Sequence, residues 1–442
     1  MSKLKKQKMP YPVEAYIDSL SHDGRGIARI NGKTVFIDGA LPDEQVKIKY
    51  ISVKSRFDEA VTTEVVTPSE KRVIPECKYF KICGGCSLQH MHSQYQVDHK
   101  QSVLIEQLNY IGKVKPLEIF SPILSKVWSY RHKAKFGVKK DFKNNKILVG
   151  FREKGKSTLV DIDDCKVLHP DIRNAISSLK TLISKLSIKS HISQIDVAIG
   201  DDSGAIVLRH SLYPDQDDIS LLDQFSSDYQ LNILLQSEID QTLNTLSKKH
   251  NQPLSYNISE FGVKINFSPV DFTQINFEMN EKMISKVIEL LVLSRSDKVL
   301  DLFCGLGNFT LPIALNVDSV TGIEGSSIHV QRAKENAELN NIYNTKFYNV
   351  NLYAEKIRHN FSEIQFNKIL LNPPRKGARE IIGSINFHKI EKVVYVSCNP
   401  ATLARDAQIL VHDKGYTLVK TGVIDMFPQT EHFESVAVFE KN

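Results

Sequence analysis

KVLDLFCGLGNFTLP, residues 298–312, runs from an aliphatic strand-like stretch straight into a turn carrying Gly305 and Gly307, and then into a helix-compatible segment. Four similar apolar runs come after it: SVTGIE (319–324), TKFYNV (345–350), NKILLN (367–372) and KVVYVSC (392–398). Helical stretches are expected between them, at about 326–340, 376–384 and 400–413. Strands alternating with helices predict an α/β fold, a mainly parallel sheet with helices on both faces. The closing segment GYTLVKTGVIDMFPQTEHFESVAVFEKN (415–442) predicts two further strands joined by a loop, an antiparallel hairpin at the edge of that sheet.

Working outward, the 442 residues suggest two to four domains, and we divide them at 1–69, 70–262 and 263–442. The first part has short alternating runs (VEAYIDSL, 13–20) and turn-rich ones (HDGRGIARING, 22–32), as in a small β-barrel of the oligonucleotide-binding type. Arg25, Arg29, Lys47, Lys49, Lys54 and Arg56 there either track phosphates or form a solvated basic face. The middle part is mixed α+β. A helix is expected over about 94–111, placed to pack on the third part, and strands at KAKFGV, KILVGF, SQIDVAIG and GAIVLRH.

The net charge of +6 leans mildly toward a polyanionic partner. No apolar run is long enough for a bilayer span, and the basic start MSKLKKQKMP leads into no apolar signal core. Six cysteines in so long a chain are no disulfide framework. A cytoplasmic protein is expected, free of membrane and with no obligatory protein partner evident.

Three constellations carry chemistry. In the glycine loop, backbone can approach a ligand closely, and Glu324 ends the next strand where a carboxylate would accept both hydroxyls of a ribose. This points to a nucleoside-type cofactor. ILLNPPRKGAR (369–379) adds Asn372 at the carboxyl end of the sheet, and Arg375 to hold a phosphate or an oxyanion. In VVYVSCNPATLARDA, Asn399 suits a helix N-cap and Pro400 the first helical position, so Cys398 stands beside a helix N-terminus. That location is expected to lower its thiol pKa. A thiolate is what pyrimidine carbon-5 chemistry needs. Addition at carbon 6 makes carbon 5 nucleophilic, and a base must later remove the carbon-5 proton. Glu434, opening an apolar strand, is the candidate base, with Glu431 and His432 as local competitors. Cys304 is expected to pack. Finally, Cys77, Cys83 and Cys86 are spaced C-x5-C-x2-C, and Cys165 lies far downstream. Four thiolates suit an iron–sulfur cluster or a tetrahedral zinc.

Taken in order, DFTQIN (271–276), DLFCGLGNFTLP, GIE, NPPRKGAR, SCNP and FPQTEHFES resemble the RNA 5-methyluridine methyltransferases, and the resemblance covers nearly the whole chain. SLSHDGRGIARINGKTVFIDGALPDE (19–44) resembles that family's TRAM domain. CKYFKICGGC with Cys165 resembles its four-cysteine [4Fe–4S] site. Together these two are similar to the branch acting on 23S rRNA. The resemblance implies a class I, Rossmann-like methyltransferase sheet, preceded by an OB-type TRAM barrel and a cluster-bearing central domain. It implies S-adenosylmethionine contacts from Gln274, Phe303, Asn308, Glu324, Asn351 and Asn372. Cys398 is then nucleophile and Glu434 base, and 23S rRNA is the partner. Asn372 stands where the family usually has aspartate, and that departure favours a rival reading as a non-catalytic iron–sulfur RNA-binding protein. Amino-methylation is disfavoured, since arginine and no aromatic residue comes after NPP.

Overall fold

The first strands obey the period-2 rule: inward residues are apolar and small enough to let a short sheet curl. They are β1 (Val13–Tyr16), β2 (Ser19–Leu20), β3 (Gly26–Ile30), β4 (Lys33–Asp38), β5 (Gln45–Val53) and β6 (Phe57–Thr67), in sheet order β1-β5-β6-β4-β3-β2. Ala15, Ile17, Ala28, Val35, Ile37, Val46, Ile48 and Ala60 form the core. The expected closed barrel is not formed. At Ile17–Asp18 the chain bends, giving one amide to Glu44 O (3.0 Å) and the next to Ile27 O (2.9 Å). The bend separates β1, paired with β5, from β2, paired with β3, so no ladder joins the two edges and the sheet stays an open, curled one.

The computed structural model describes residues 13–141, 143–246, 253–354 and 366–442. They divide into two compact units. The first holds the chain up to 81 together with 85–103 and 429–431, and the second holds 82–84, 104–428 and 432–442. In the first unit the sheet is tied to the segment beyond β6 by buried Glu44, which accepts from Leu41 N (2.8 Å), Ser69 N (3.2 Å) and the Arg72 guanidinium (2.8 Å). Helix α1 (Ser93–Gln107) ends in a wider π turn, Leu108–Gly112.

In the second unit, β7 (Glu118–Ile119) precedes a seven-stranded sheet. Its strands are β8 (Lys133–Asp141), β9 (Lys146–Arg152), β10 (Leu159–Asp161), β11 (Ile192–Ile199), β12 (Gly204–His210), β13 (Leu231–Ser237) and β14 (Leu243–Thr245), in order β10-β9-β8-β11-β12-β13-β14. Two helices belong to the same region. α2 (Pro170–Lys185) buries Ile172, Ala175, Ile176, Leu179, Leu182 and Ile183, the stripe of an amphipathic helix. The polar segment after Pro214 is a cap as well as a turn: Asp215 accepts from Asp218 N (2.9 Å) and starts α3 (Gln216–Tyr229). A hairpin, β15 (Leu254–Ile258) and β16 (Val263–Phe267), turns at Gly262, whose φ is +62°.

The last sheet comes after helix α4 (Phe277–Leu291). It contains β17 (Lys298–Leu302), β18 (Ser319–Glu324), β19 (Thr345–Asn349), β20 (Lys368–Leu371), β21 (Lys392–Ser397), β22 (Tyr416–Ile424) and β23 (Glu434–Lys441). The intervening helices are α5 (Thr310–Ala314), α6 (Ser327–Leu339), α7 (Arg379–Ser384) and α8 (Pro400–Gln408). The order is β19-β18-β17-β20-β21-β23-β22-β7, parallel from β19 to β21 and antiparallel at β23. Two expectations are corrected. The terminal hairpin is not the edge, because β7 pairs parallel to β22 outside it. And 376–378 is loop, with α7 starting at Arg379. The order reverses at β17, and in open α/β sheets the carboxyl end of that point is where ligands bind.

Candidate active site

The glycine loop leaves β17 through Phe303, which holds a positive φ of +66°, unusual for a bulky residue. Its amide and that of Cys304 are fixed by Ile323 O (2.8 and 3.1 Å) at the end of β18. Gly305 is also left-handed (φ +55°), and a Cβ there would meet nothing within 4 Å, so open space lies over the loop. Cys304 points inward and is buried. Glu324 faces the loop: its carboxylate accepts from Gly305 N (3.2 Å) and Ser326 N (2.9 Å), leaving further lone pairs on a half-buried group. His329 lies 4.0 Å from Glu324 and from Asp271, which takes Arg332 Nε at 2.8 Å.

Around this cradle the remaining sequence-predicted cofactor residues are spread over four loops. Asn308 forms a reciprocal amide pair with Asn280 of α4 (2.9 and 2.8 Å) and accepts from the buried Tyr256 hydroxyl (2.7 Å). Gln274 is nearly buried in the loop 271–276, whose Asn276 caps α4 through Met279 N (3.2 Å). Asn351 closes a local turn by accepting from Tyr353 N (3.0 Å), and the Tyr353 ring lies 5.5 Å from that of Phe303. Asn372 donates its backbone amide to Leu302 O (3.2 Å) at the tip of β17.

The two residues expected to react lie two and three strands along. β21 and β23 are antiparallel with Ser397 opposite Ser435, so the next residue of each, Cys398 and Glu434, leave the ladder side by side. Ser435 Oγ donates to Ser397 O (3.0 Å), locking that end. Asn399 caps α8 by accepting from Ala401 N (3.1 Å), with Pro400 at the first helical position. The expected lowering of the Cys398 thiol does not hold. Burial, with the Glu434 charge beside it, pushes the thiol up to about 11, outweighing the opposing pull of the Arg375 guanidinium. Burial pushes Glu434 up to about 8, against the opposing pull of Arg375. Arg375 also lies 3.3 Å from His432.

Sequence reasoning missed the supports. Asp406, fully buried, accepts from Ala378 N (2.6 Å) and Tyr395 OH (2.7 Å) and pairs with Arg405. It thereby fixes the turn after Arg375, where Gly377 has φ +81° and a Cβ would collide with that carboxylate at 2.6 Å. Buried Asp301, bonded to Thr310 Oγ1 (2.6 Å), is pushed up to about 7 by burial. Asn280 was legible in principle: it is a polar residue in the buried stripe Met279, Met283, Ile284, Val287. Among the cysteines, Cys77 and Cys86 belong to the first unit and Cys83 and Cys165 to the second, all four outside any disulfide and half-buried. Among the described residues no group of three or more His, Cys, Asp or Glu side chains is assembled to hold a metal.

A sheet of this order, with a glycine loop and an acidic residue at its switch point, defines a class I methyltransferase fold. Residues 92–442 match the family described as tRNA (uracil-5-)-methyltransferase, and residues 13–61 match the TRAM domain. The chain belongs to the tRNA (uracil-5-)-methyltransferase family. It is 48% identical over 434 residues to the 23S rRNA (uracil(1939)-C(5))-methyltransferase RlmD of Francisella tularensis subsp. novicida (strain U112), covering 97% of this chain and 96% of that one. It is 42% identical to the protein of the same name from Hahella chejuensis (strain KCTC 2396), covering the whole of both. Among solved structures it is similar to the Pyrococcus abyssi tRNA (uracil-54, C5)-methyltransferase in complex with S-adenosyl-L-homocysteine. That match has a TM-score of 0.74 at 24% identity and covers 97% of this chain and all of the other.

Proposed function

We propose that this chain methylates carbon 5 of a uridine in 23S rRNA, with Cys398 as covalent nucleophile and Glu434 as the base. The observation that carries this reading is the placement of Cys398 beside Glu434, at the carboxyl end of the sheet that also bears the glycine loop and Glu324. The names of relatives at 42–48% identity over nearly the full length supply the substrate.

The open space over Gly305 and the free lone pairs of Glu324 suit a nucleoside with two ribose hydroxyls. S-adenosylmethionine, when bound, supplies an electrophilic methyl group. Gln274, Phe303, Asn308, Glu324, Asn351 and Asn372 are the residues assigned to hold it; at 372 an amide replaces the family's usual carboxylate and can still donate and accept. The target base would be taken out of its stack to reach Cys398. In the resting pair both groups hold their protons at neutral pH, so the reacting fraction is the one in which both have released them to solvent, and Arg375 favours the thiolate and the carboxylate. Sγ then bonds to carbon 6, and the C5–C6 electron pair moves to carbon 5, which would take the methyl group as its bond to the sulfonium sulfur breaks and S-adenosylhomocysteine is left. Glu434, as carboxylate, removes the carbon-5 proton. The released pair restores the C5–C6 double bond and expels Cys398 as thiolate.

The curled TRAM sheet is the proposed grip on RNA phosphates, and the three parts 1–69, 70–262 and 263–442 are proposed as grip, cluster-bearing and catalytic parts. Cys77, Cys83, Cys86 and Cys165 form the donor set proposed for a [4Fe–4S] cluster, four soft thiolates with no competing disulfide. Among the described residues no helix is long and apolar enough to cross a membrane.

The test is transfer of labelled methyl from S-adenosylmethionine to unmodified 23S rRNA, with 5-methyluridine mapped in the product. Cys398→Ala is expected to abolish transfer. A Cys398→Ala protein that still makes 5-methyluridine would refute the reading.

A further inference from the structure

The Glu434 carboxyl is buried beside Cys398 and near the charge of Arg375, and among the described residues no hydrogen bond holds it. Its position is set by its place at the start of β23, opposite Ile424, and by the strap 425–433 that leads into that strand from β22. That strap is pinned at separate points. Pro428 O takes the Tyr130 hydroxyl (2.9 Å), and His432 meets Arg375 (3.3 Å). Between them, Gln429–Glu431 belong to the first unit. There Gln429 O accepts both the Ser87 and the Leu88 amides (3.0 Å each), and Glu431 N donates to Ser87 Oγ (3.0 Å).

One side chain closes the arrangement. Gln96, in α1 and 2% exposed, shares the two hydrogens of Nε2 among Leu88 O (3.0 Å), Met91 O (2.8 Å) and Gln429 Oε1 (3.1 Å), while its Oε1 accepts the Gln429 amide (2.9 Å). A residue serving the turn 88–91 alone would need the first two bonds. The other two hold both the backbone and the side chain of Gln429, which is left-handed at φ +69°. The partners are 333 residues apart in sequence, so no local constraint explains the pairing. Ser87, the second fastener, sits immediately after Cys86.

We propose that Gln96, seconded by Ser87, is a positioning residue for the reaction: it fixes the strap at Gln429 and so sets where the Glu434 carboxyl stands against carbon 5. The inference rests on Glu434 being the base that removes the carbon-5 proton. It assigns the segment after the cysteines a part in the last chemical step, while attack by Cys398 proceeds without it.

The two steps separate in one experiment. Single-turnover reactions with unmodified 23S rRNA are sampled for product and for a protein–RNA complex that survives denaturing electrophoresis. Glu434→Gln is expected to accumulate the complex, because addition and methyl transfer proceed but elimination does not. Gln96→Leu is expected to do the same in part, with product formation about 10- to 100-fold slower while complex formation stays within about threefold of the parent protein. Gln429→Pro, which removes the donated amide and cannot adopt a positive φ, should match Gln96→Leu; Gln429→Gly keeps both and should show the smaller effect. If Gln96→Leu lowers complex and product together, or leaves product unchanged, the positioning role is overturned. If Glu434→Gln itself builds up no complex, the assignment of the base fails, and the inference falls with it for that separate reason.

Discussion

Cys398 and Glu434 show how residue-scale electrostatics depends on neighbours that sequence does not place. The helix N-terminus beside Cys398 could be read from Asn399 and Pro400, but the sign of its shift could not. The opposing influences, burial and the charge of a residue 36 positions later, exist only once β21 and β23 pair. The consequence is a pH profile. With Glu434 near 8 and Cys398 near 11, and both needed without their protons, kcat/KM should climb by about a hundredfold per pH unit below pH 8 and about tenfold per unit above it. Arg375→Ala, which removes the charge lowering both groups, should move the rising limb to higher pH. A flat profile from pH 6 to 8 would contradict this arrangement. Asp301 makes the analogous statement about stability. Its folded pKa, about 7, is raised above the ordinary carboxylate value, so the protonated state is the one favoured by folding. Stability is fully present below about pH 4 and is lost as pH rises toward 7. Asp301→Asn should therefore stabilise the protein by on the order of 2–4 kcal/mol at pH 8 and by nothing at pH 4, read from denaturant melts at the two pH values.

Elements were legible where burial is two-sided. β17, β20 and β21 are apolar nearly throughout, as buried parallel strands must be, and the sequence pattern reports that directly. Elements set by distant partners were not. β7 is two residues long and exists because β22 offers it an edge; α7 begins three residues late because Asp406 holds 376–378 in a turn. α8 carries the sharpest element-scale test. Asn399 accepts from Ala401 N and donates Nδ2 to Arg375 O (3.0 Å), so one side chain fixes both the helix start and the loop of Arg375. Asn399→Ala should cost about 1 kcal/mol of stability, the usual loss of an N-cap. It should lower kcat about tenfold or more, because Cys398 and Arg375 lose a shared anchor. A loss of stability with kcat intact would show that the cap serves the helix alone.

For the molecule as a whole, the basic surface proposed for RNA resolves into two sets that sequence lumps together. Arg25, Lys47 and Lys54 are paired with Asp23, Glu64 and Glu59. Arg29, Lys49 and Arg56 are exposed and form no ion pair among the described residues. Replacing the second set by alanine should weaken 23S rRNA binding and make the slope of log affinity against log salt shallower, by about 0.7–0.9 for each phosphate no longer neutralised. Replacing the first set should change the slope far less; equal effects would remove the distinction. A different property comes from where β23 lies. The strand latest in chain order, Glu434–Lys441, is not at the rim of its sheet but wedged between β21 and β22. On a growing polypeptide, β21 and β22 must therefore wait with naked backbone edges, the kind of surface that invites pairing with the wrong chain. Insertion of that last strand both seals the gap and delivers Glu434, so maturation of the sheet and the arrival of the proton acceptor are a single event.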